Sequence, residues 1–439
     1  MEAGRPLHTK ALIDVLTPLF FLYSCRKPVR LAFKWILSRT MQKFTLLLLS
    51  LVLLGPLGID LYLPTLPDIA LGLNTPVTMI QTTIPLFLLV MGLGQIVAGP
   101  LVDNFGRKPV AIAGLLLYLL GSILAATATG WPQFLSARIV QGCAVCCTAV
   151  VAFSGVRDRL EGEEAARAYG FLNGALNIVP ALAPMLGGFL ADAFGWRAPF
   201  WFLASYVLVI GLMTLRFLPE TRPAGTQVVK GLPLVQYARI LREPRFLAFT
   251  FANAGAMGMV LTYVSLAPQV LMAQGKLSSL QFSVVFGANG FWIMLGSLLV
   301  NKIIRKLGRP ICLAFGSLAM ACGALTMLAG MAIFPAEMQT SWALYMLPVA
   351  ISVAGLAFTV GPATSYALEP YKQQAGVASA LAGFIQMAGG SSAGLLAMAL
   401  PVNEKLALSA MMIIGAVLAA LAWMCSKNVH GTLTALKTR

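Results

Sequence analysis

The sequence predicts an all-α polytopic membrane protein, with twelve transmembrane helices in two six-helix halves. Three observations carry this reading. The chain is 59% hydrophobic and 10% charged over 439 residues, where soluble domains average about 25% charged. Apolar runs recur along most of the length, each near the ~20 residues that cross about 30 Å of hydrocarbon. All but four of the 31 Lys and Arg fall at the two ends and in alternate loops, which is the positive-inside pattern. A β-barrel would show short alternating segments instead.

The spans are expected at 44–66, 82–102, 109–129, 132–156, 167–192, 197–218, 246–272, 281–302, 310–333, 341–367, 374–400 and 406–425. The four exceptions to the basic pattern are Arg138, inside a span, and Arg197, Lys276 and Lys405 in the other loops. This asymmetry orients both termini to the cytoplasm. The net charge of +16 then reports topology and contact with anionic lipid headgroups, not nucleic acid.

Five regions follow: an extension 1–42, a first half 43–218, a linker 219–245, a second half 246–426 and a tail 427–439. The extension holds a moderately apolar stretch, Ala11 to Cys25, and then RKPVRLAFK. It reads either as an amphipathic segment on the inner surface or as translation begun too early, since Met41 opens MQKFTLLLL. The linker carries Pro219, Pro223, Pro233 and Pro244. The halves echo one another, because Gly106-Arg107 after the second span matches Gly308-Arg309 after the eighth. Paired repeats around a linker place a binding site near the midplane between them.

Asp60 ends an apolar run that begins at Phe44. An acid inside a span costs roughly 2.5–3.5 kcal/mol even on mild scales, so it faces a cavity and has a role there. Arg138 lies a similar distance past Pro132 as Asp60 lies before Pro67, so both sit roughly 10 Å from the same side at 1.5 Å per residue. Equal depth suits an electrostatic interaction between them, with Gln141 one turn further on. Snorkelling of Arg138 to the interface is the other reading. Desolvation favours the neutral form of a carboxyl and a nearby cation the charged form. Cys143, Cys146 and Cys147 form a cluster in the fourth span, but no His lies in any span. These are expected to be small packing residues, with no metal and no structural disulfide.

The turn Gly99-Pro-Leu-Val-Asp103-Asn-Phe-Gly106-Arg107-Lys108 allows a tight reversal, and Asp103 can cap the next helix or pair with a base. In the fifth span Asn173 and Asn177 share a helical face, and Pro180, Pro184, Gly187 and Gly188 make a kinked, small-faced segment, which also suits simple small-residue packing.

The turn motif resembles the signature loop of the major facilitator superfamily, and Leu135-Ser-Ala-Arg138-Ile-Val-Gln141-Gly142 resembles its fourth-span pattern. The run from Pro180 to Gly188 resembles the motif of its antiporters, with Ala183 where Gly is usual. Gly58-Ile-Asp60-Leu-Tyr62-Leu-Pro64, Arg157-Asp158 and Leu-Pro-Glu220-Thr-Arg222 look like the Bcr/CflA branch of drug–proton antiporters. The resemblance covers about residues 43–426. It implies a gating latch at Gly99, Asp103, Gly106 and Arg107, degenerate in the second half where Arg305 replaces the acid. It implies proton coupling at Asp60 and Arg138, and an interface role for Pro180, Pro184, Gly187 and Gly188. Tyr62, Gln141, Asn173, Asn177, Tyr263 and Asn289 are expected to line the substrate cavity.

The reading that results is proton-driven export of small amphiphilic, chloramphenicol-like compounds across the bacterial inner membrane, by a monomer without cofactor. The alternative is export or symport of a physiological metabolite such as a nucleoside or amino acid. The spans hold no paired carboxylates and no Ser–base constellation, so an enzyme lacks its parts. No TVGYG-like filter supports a channel.

Overall fold

The computed structural model describes residues 39–160, 162–222 and 233–437. The readings of residues 1–38 lie outside them. From Leu48 onward the described residues form one compact unit. Every regular element among the described residues is helical.

Helices cover each of the apolar runs in order. Ten are long and apolar enough to cross a membrane, and the bent pair Lys43–Val52 and Leu54–Gly72 makes an eleventh. The remaining run is the 33-residue helix Gly162–Phe194, the fifth span. The second, third and fourth spans are Val77–Phe105, Arg107–Ala126 and Trp131–Arg159. The sixth is Ala198–Phe217 and the seventh Pro244–Gln274. The eighth is Ser279–Leu307, the ninth Arg309–Ile333 and the tenth Trp342–Leu368. The eleventh runs from Ala375 to Ala399 and the twelfth from Glu404 to Lys437.

Local chemistry sets the span ends. Proline in the first turn starts the fourth, sixth, seventh and ninth spans, where its missing N–H is not needed. Ser278 and Gln281 cap the eighth span reciprocally, satisfying two orphan donors. Gly106 and Gly308 turn the chain at matching places in the two halves, with φ of 93° and 83°, a region that favours glycine. The internal repeat in the sequence is thus a repeat of backbone geometry.

Two helices depart from regular winding. A π-helical turn, Gln269–Gln274, follows Pro268 at the end of the seventh span, and another, Ile385–Gly389, interrupts the eleventh. The linker also folds in part: Leu234–Leu241 is a helix, an element absent from the sequence reading.

The halves meet along two seams of small residues. The fifth span lies on the eighth and the second on the eleventh. A Cβ on Gly287 would stand 2.6 Å from the Ala181 carbonyl oxygen, and one on Gly290 2.8 Å from the Ala181 nitrogen. Across the other seam, a Cβ on Gly92 would stand 2.8 Å from the Ala388 nitrogen. Backbone meets backbone here, so no side chain fits between. Ser283 ties the first seam by donating its hydroxyl to the Pro184 carbonyl at 2.8 Å.

Candidate functional site

The break in the first span puts Asp60 at the last turn of Leu54–Asp60, just before a short 3-10 turn at Leu63–Thr65. Asp60 is only 6% exposed. No hydrogen bond or ion pair reaches its carboxylate among the described residues. The Leu63–Thr65 turn packs on the eighth span, and Leu66–Gly72 packs on the π turn of the seventh. Asp60 therefore lies beneath a closed contact between the halves, on the side away from the basic loops. Across that contact it is within electrostatic reach of the Tyr263 hydroxyl.

Arg138 does not snorkel, since it is wholly buried. Nor does it pair with Asp60, as equal depth suggested. The guanidinium turns to other acceptors. It donates to the Gly58 carbonyl at 2.6 Å and to Gln141 Oε1. Its cation lies between two rings, 4.5 Å from the centroid of Tyr62 and 4.6 Å from that of Phe87. The relay continues outward: Gln141 Nε2 donates to Ser122 Oγ at 2.9 Å, and Ser122 donates to the Tyr118 carbonyl at 2.8 Å. Tyr118 in turn donates to the Leu54 carbonyl at 3.0 Å, bracing the helix that carries Asp60.

This geometry relocates two expected cavity residues. Gln141 is fully buried with its amide committed to Arg138 and Ser122. Tyr62 is also fully buried. It shares a 2.9 Å hydrogen bond with Thr83 and packs its ring on Phe134 and Phe200. Both build the nest that holds Arg138. Tyr263 and Asn289 stand in the other half, near each other. The Asn289 amide lies beside the Tyr263 hydroxyl but not in hydrogen-bonding geometry, and both side chains have buried polar atoms without partners. Gln81, Ser265 and Arg138 Nε share that condition. Asn173 and Asn177 lie on the fifth span, with side chains outside the described residues.

The turn after the second span is a brace rather than a simple reversal. Arg107, 2% exposed, donates from Nε to Asp158 at 2.6 Å and reaches Asp103 at 3.1 Å. Glu220 caps the third span in place of Asp103, accepting from the backbone N–H of Arg107 at 2.9 Å and of Lys108 at 3.1 Å. The backbone N–H groups of Thr221 and Arg222 join it. Desolvation pushes the Glu220 carboxyl up, but these four backbone donors outweigh it and hold the group below the usual carboxylate range. Gly106 is required twice over, by its φ of 93° and because a Cβ would meet Glu220 Oε2 at 2.5 Å. Nothing lies within 4 Å of a Cβ on Gly99. All these partners belong to the first half or to the first residues of the linker.

The second half has its own version. Arg309, the counterpart of Arg107, reaches Glu369 at 3.3 Å, and Arg245 reaches the same carboxylate at 2.9 Å. The acid missing at Arg305 is thus supplied from the end of the tenth span, as Asp158 is from the end of the fourth. Within the first half, a Cβ on Gly187 would collide with the Leu61 carbonyl, and at the seam one on Gly188 would stand 2.8 Å from Ser283 Oγ. Pro180 and Pro184 lie in the same helix, and Gly290 packs on Pro180. Cys146 donates to the Cys143 carbonyl and would clash with a Cβ on Gly94, a packing role.

Sequence reasoning missed Ser122, Gln81, Gly287, Gly290 and Glu369, and used Asp158 and Glu220 only as part of a resemblance. Glu220 had a signal, a Pro-Glu-Thr step after a span. The others sit among common small or polar residues with no spacing to mark them.

Comparison with known proteins agrees with this fold. A family profile described as Major Facilitator Superfamily matches residues 48–395. A chloramphenicol resistance protein of Pseudomonas aeruginosa is 33% identical over 344 residues, covering 77% of this chain and 79% of its own. The multidrug resistance protein MdtL of Salmonella heidelberg is 32% identical over 352 residues, covering 80% and 87%. Among solved structures, a D-xylose–proton symporter aligns with a TM-score of 0.68 at 15% identity, over 87% of this chain and 97% of that one. The human organic anion transporter MFSD10 (TETRAN) aligns at 0.58 and 16%, over 87% and 99%.

Proposed function

The chain belongs to the major facilitator superfamily, a family of membrane transporters and not of enzymes, and we propose that it exports small amphiphilic drugs in exchange for protons. Its relatives are named for multidrug and chloramphenicol resistance. The observation that carries the coupling is Asp60: a buried carboxyl without an ion-pair partner, placed where the two halves meet. An isolated carboxylate taken from water is costly, so its charge is exchanged readily for a proton or for a ligand that compensates it.

Drug enters from the cytoplasm and binds beside deprotonated Asp60. The unpartnered Tyr263 hydroxyl and Asn289 amide supply one donor–acceptor set from the opposite half. Each such buried group costs about 1–3 kcal/mol while unpaired, and a neutral ligand with a hydroxyl or amide recovers that cost. Arg138, clamped by Gln141 and the Gly58 carbonyl, holds a fixed positive charge in the first-half wall. The halves rock about the two glycine seams. Drug leaves on the far side, Asp60 takes a proton there, and the return stroke delivers it inward. Substrate lies in the inner membrane's plane of access, the chain works as a monomer, and both termini face the cytoplasm by the positive-inside rule.

The test is drug export in proteoliposomes with an imposed pH gradient, comparing wild type with Asp60→Asn. Gradient-driven accumulation is expected to be lost in the variant while downhill exchange of drug persists. If the variant still accumulates drug in response to the gradient as wild type does, Asp60 is not the coupling site.

A further inference from the structure

The helix Leu234–Leu241 has no part in the transport cycle above, and its surface is unusual. One side is docked: Tyr237 and Ile240, three residues apart, are buried in a cluster with Phe246, Phe249, Ala378 and Leu381. Leu234 is 63% exposed, Val235 77% and Leu241 40%. At helical spacing these fall with Ala238 in one sector, which adjoins the docked face at Leu241. Arg239 borders that sector on the Val235 side and Arg242 continues it past the C-terminal end of the helix, both exposed, and neither guanidinium has a hydrogen-bond or ion-pair partner among the described residues. The one acid in this stretch, Glu243, comes after the helix ends.

We propose that this helix anchors the protein to the anionic headgroup layer of the bilayer, with its apolar sector in the lipid boundary and its two arginines on lipid phosphates. Position points to lipid. The seventh span begins at Pro244, two residues after Arg242, so the helix is held at the bilayer edge on the basic side. Charge agrees, because two unpaired guanidinium groups beside an apolar strip match anionic lipid and lose nothing to a local carboxylate. Length agrees as well. Eight residues do not hold a helix in water, so it depends on what covers its faces. The protein covers one. Bilayer contact on the other ties the linker between the halves to the membrane surface, which the positive-inside reading assigns to the inner leaflet.

The test is hydrogen–deuterium exchange of the full chain in nanodiscs, read on peptides spanning residues 234–242. Discs of phosphatidylcholine alone are compared with discs that also contain phosphatidylglycerol. Exchange is expected to slow by up to roughly 30-fold with the anionic lipid, at about 1 kcal/mol for each arginine near the surface. The slowing is expected to vanish in the R239Q/R242Q double variant and to weaken in high salt, which screens such contacts. Equal exchange in the two disc types overturns the proposal. So does lipid-dependent slowing that survives in the double variant, which takes the two arginines out of the contact. Peptides from the seventh span serve as the control that the variant is folded.

Discussion

Arg138 carries a full charge at zero exposure, and its acceptors decide what it costs. Hydrogen bonds to a charged group are worth about 1.5–3 kcal/mol, and removing one partner leaves the other unsatisfied. Gln141→Leu takes away both the acceptor of Arg138 and the donor to Ser122. It is expected to destabilise the protein by about 1.5–3 kcal/mol, read by denaturation in detergent, whereas Ser122→Ala, which ends the relay one step later, costs about 1 kcal/mol. Equal effects from the two would show that the relay does not run through Gln141. Glu220 gives a pH-dependent case. Its carboxyl lies below the usual range in the folded state, so its contribution is complete above the unfolded value near ~4.3. The contribution fades as pH falls through the depressed folded value. Amide exchange at Arg107 and Lys108 is expected to speed up relative to the rest of the third span as pH drops below about 4, after correction for intrinsic rates. Glu220→Ala should show the fast rates at every pH.

Packing of the fifth span on the eighth is an element-scale problem, because the atoms that crowd Gly290 are backbone atoms of Pro180 and Ala181. Backbone cannot rotate away as a side chain can, so an added group must part the helices. Gly290→Val is expected to cost about 1–3 kcal/mol, as overpacking does, and to raise the passive proton permeability of proteoliposomes. Gly99→Ala makes the contrast. It is a glycine of the signature loop, yet nothing lies near its Cβ position, so stability should stay within about 0.5 kcal/mol of wild type. A Gly99→Ala loss as large as that of Gly290→Val would mean the loop packs differently during transport. The linker helix belongs to this scale too. Its apolar positions are too few to stand out in a proline-rich stretch, and it became an element because Tyr237 and Ile240 found the cluster around Phe246.

At the scale of the whole molecule the two halves solve one problem with different charge. Arg107 is held by Asp158 at 2% and 3% exposure, while Arg245 and Arg309 share Glu369 at 42% exposure. Breaking a buried pair costs about 3–5 kcal/mol and an exposed one about 1 or less. Asp158→Asn is therefore expected to be far more damaging than Glu369→Gln. The two share no partner and lie in different halves, so the double variant should equal the sum within about 0.5 kcal/mol. A larger coupling energy, measured in a thermal double-mutant cycle, would mean the clusters communicate across the halves.

Hydropathy and charge placement alone determined the order of the apolar helices and the places of Asp60 and Arg138 along them. Those are local properties: a span is a matter of length and solvent, and a place along it is a matter of counting residues. Gly106 and Gly308 were also readable, since a turn between close helices has few residues to choose from. Tertiary structure alone decided which groups meet. Rotation of Arg138 about its helix axis, toward Gly58 and Gln141 and away from Asp60, is set by neighbours from the first, second and third spans. The Glu220 cap comes from over a hundred residues away, and Glu369 reaches Arg309 from the far end of another helix. The glycines that matter at the seam are told from the rest only by the backbone opposite them. Such contacts follow from how the helices pack against one another, which a single span's sequence does not record.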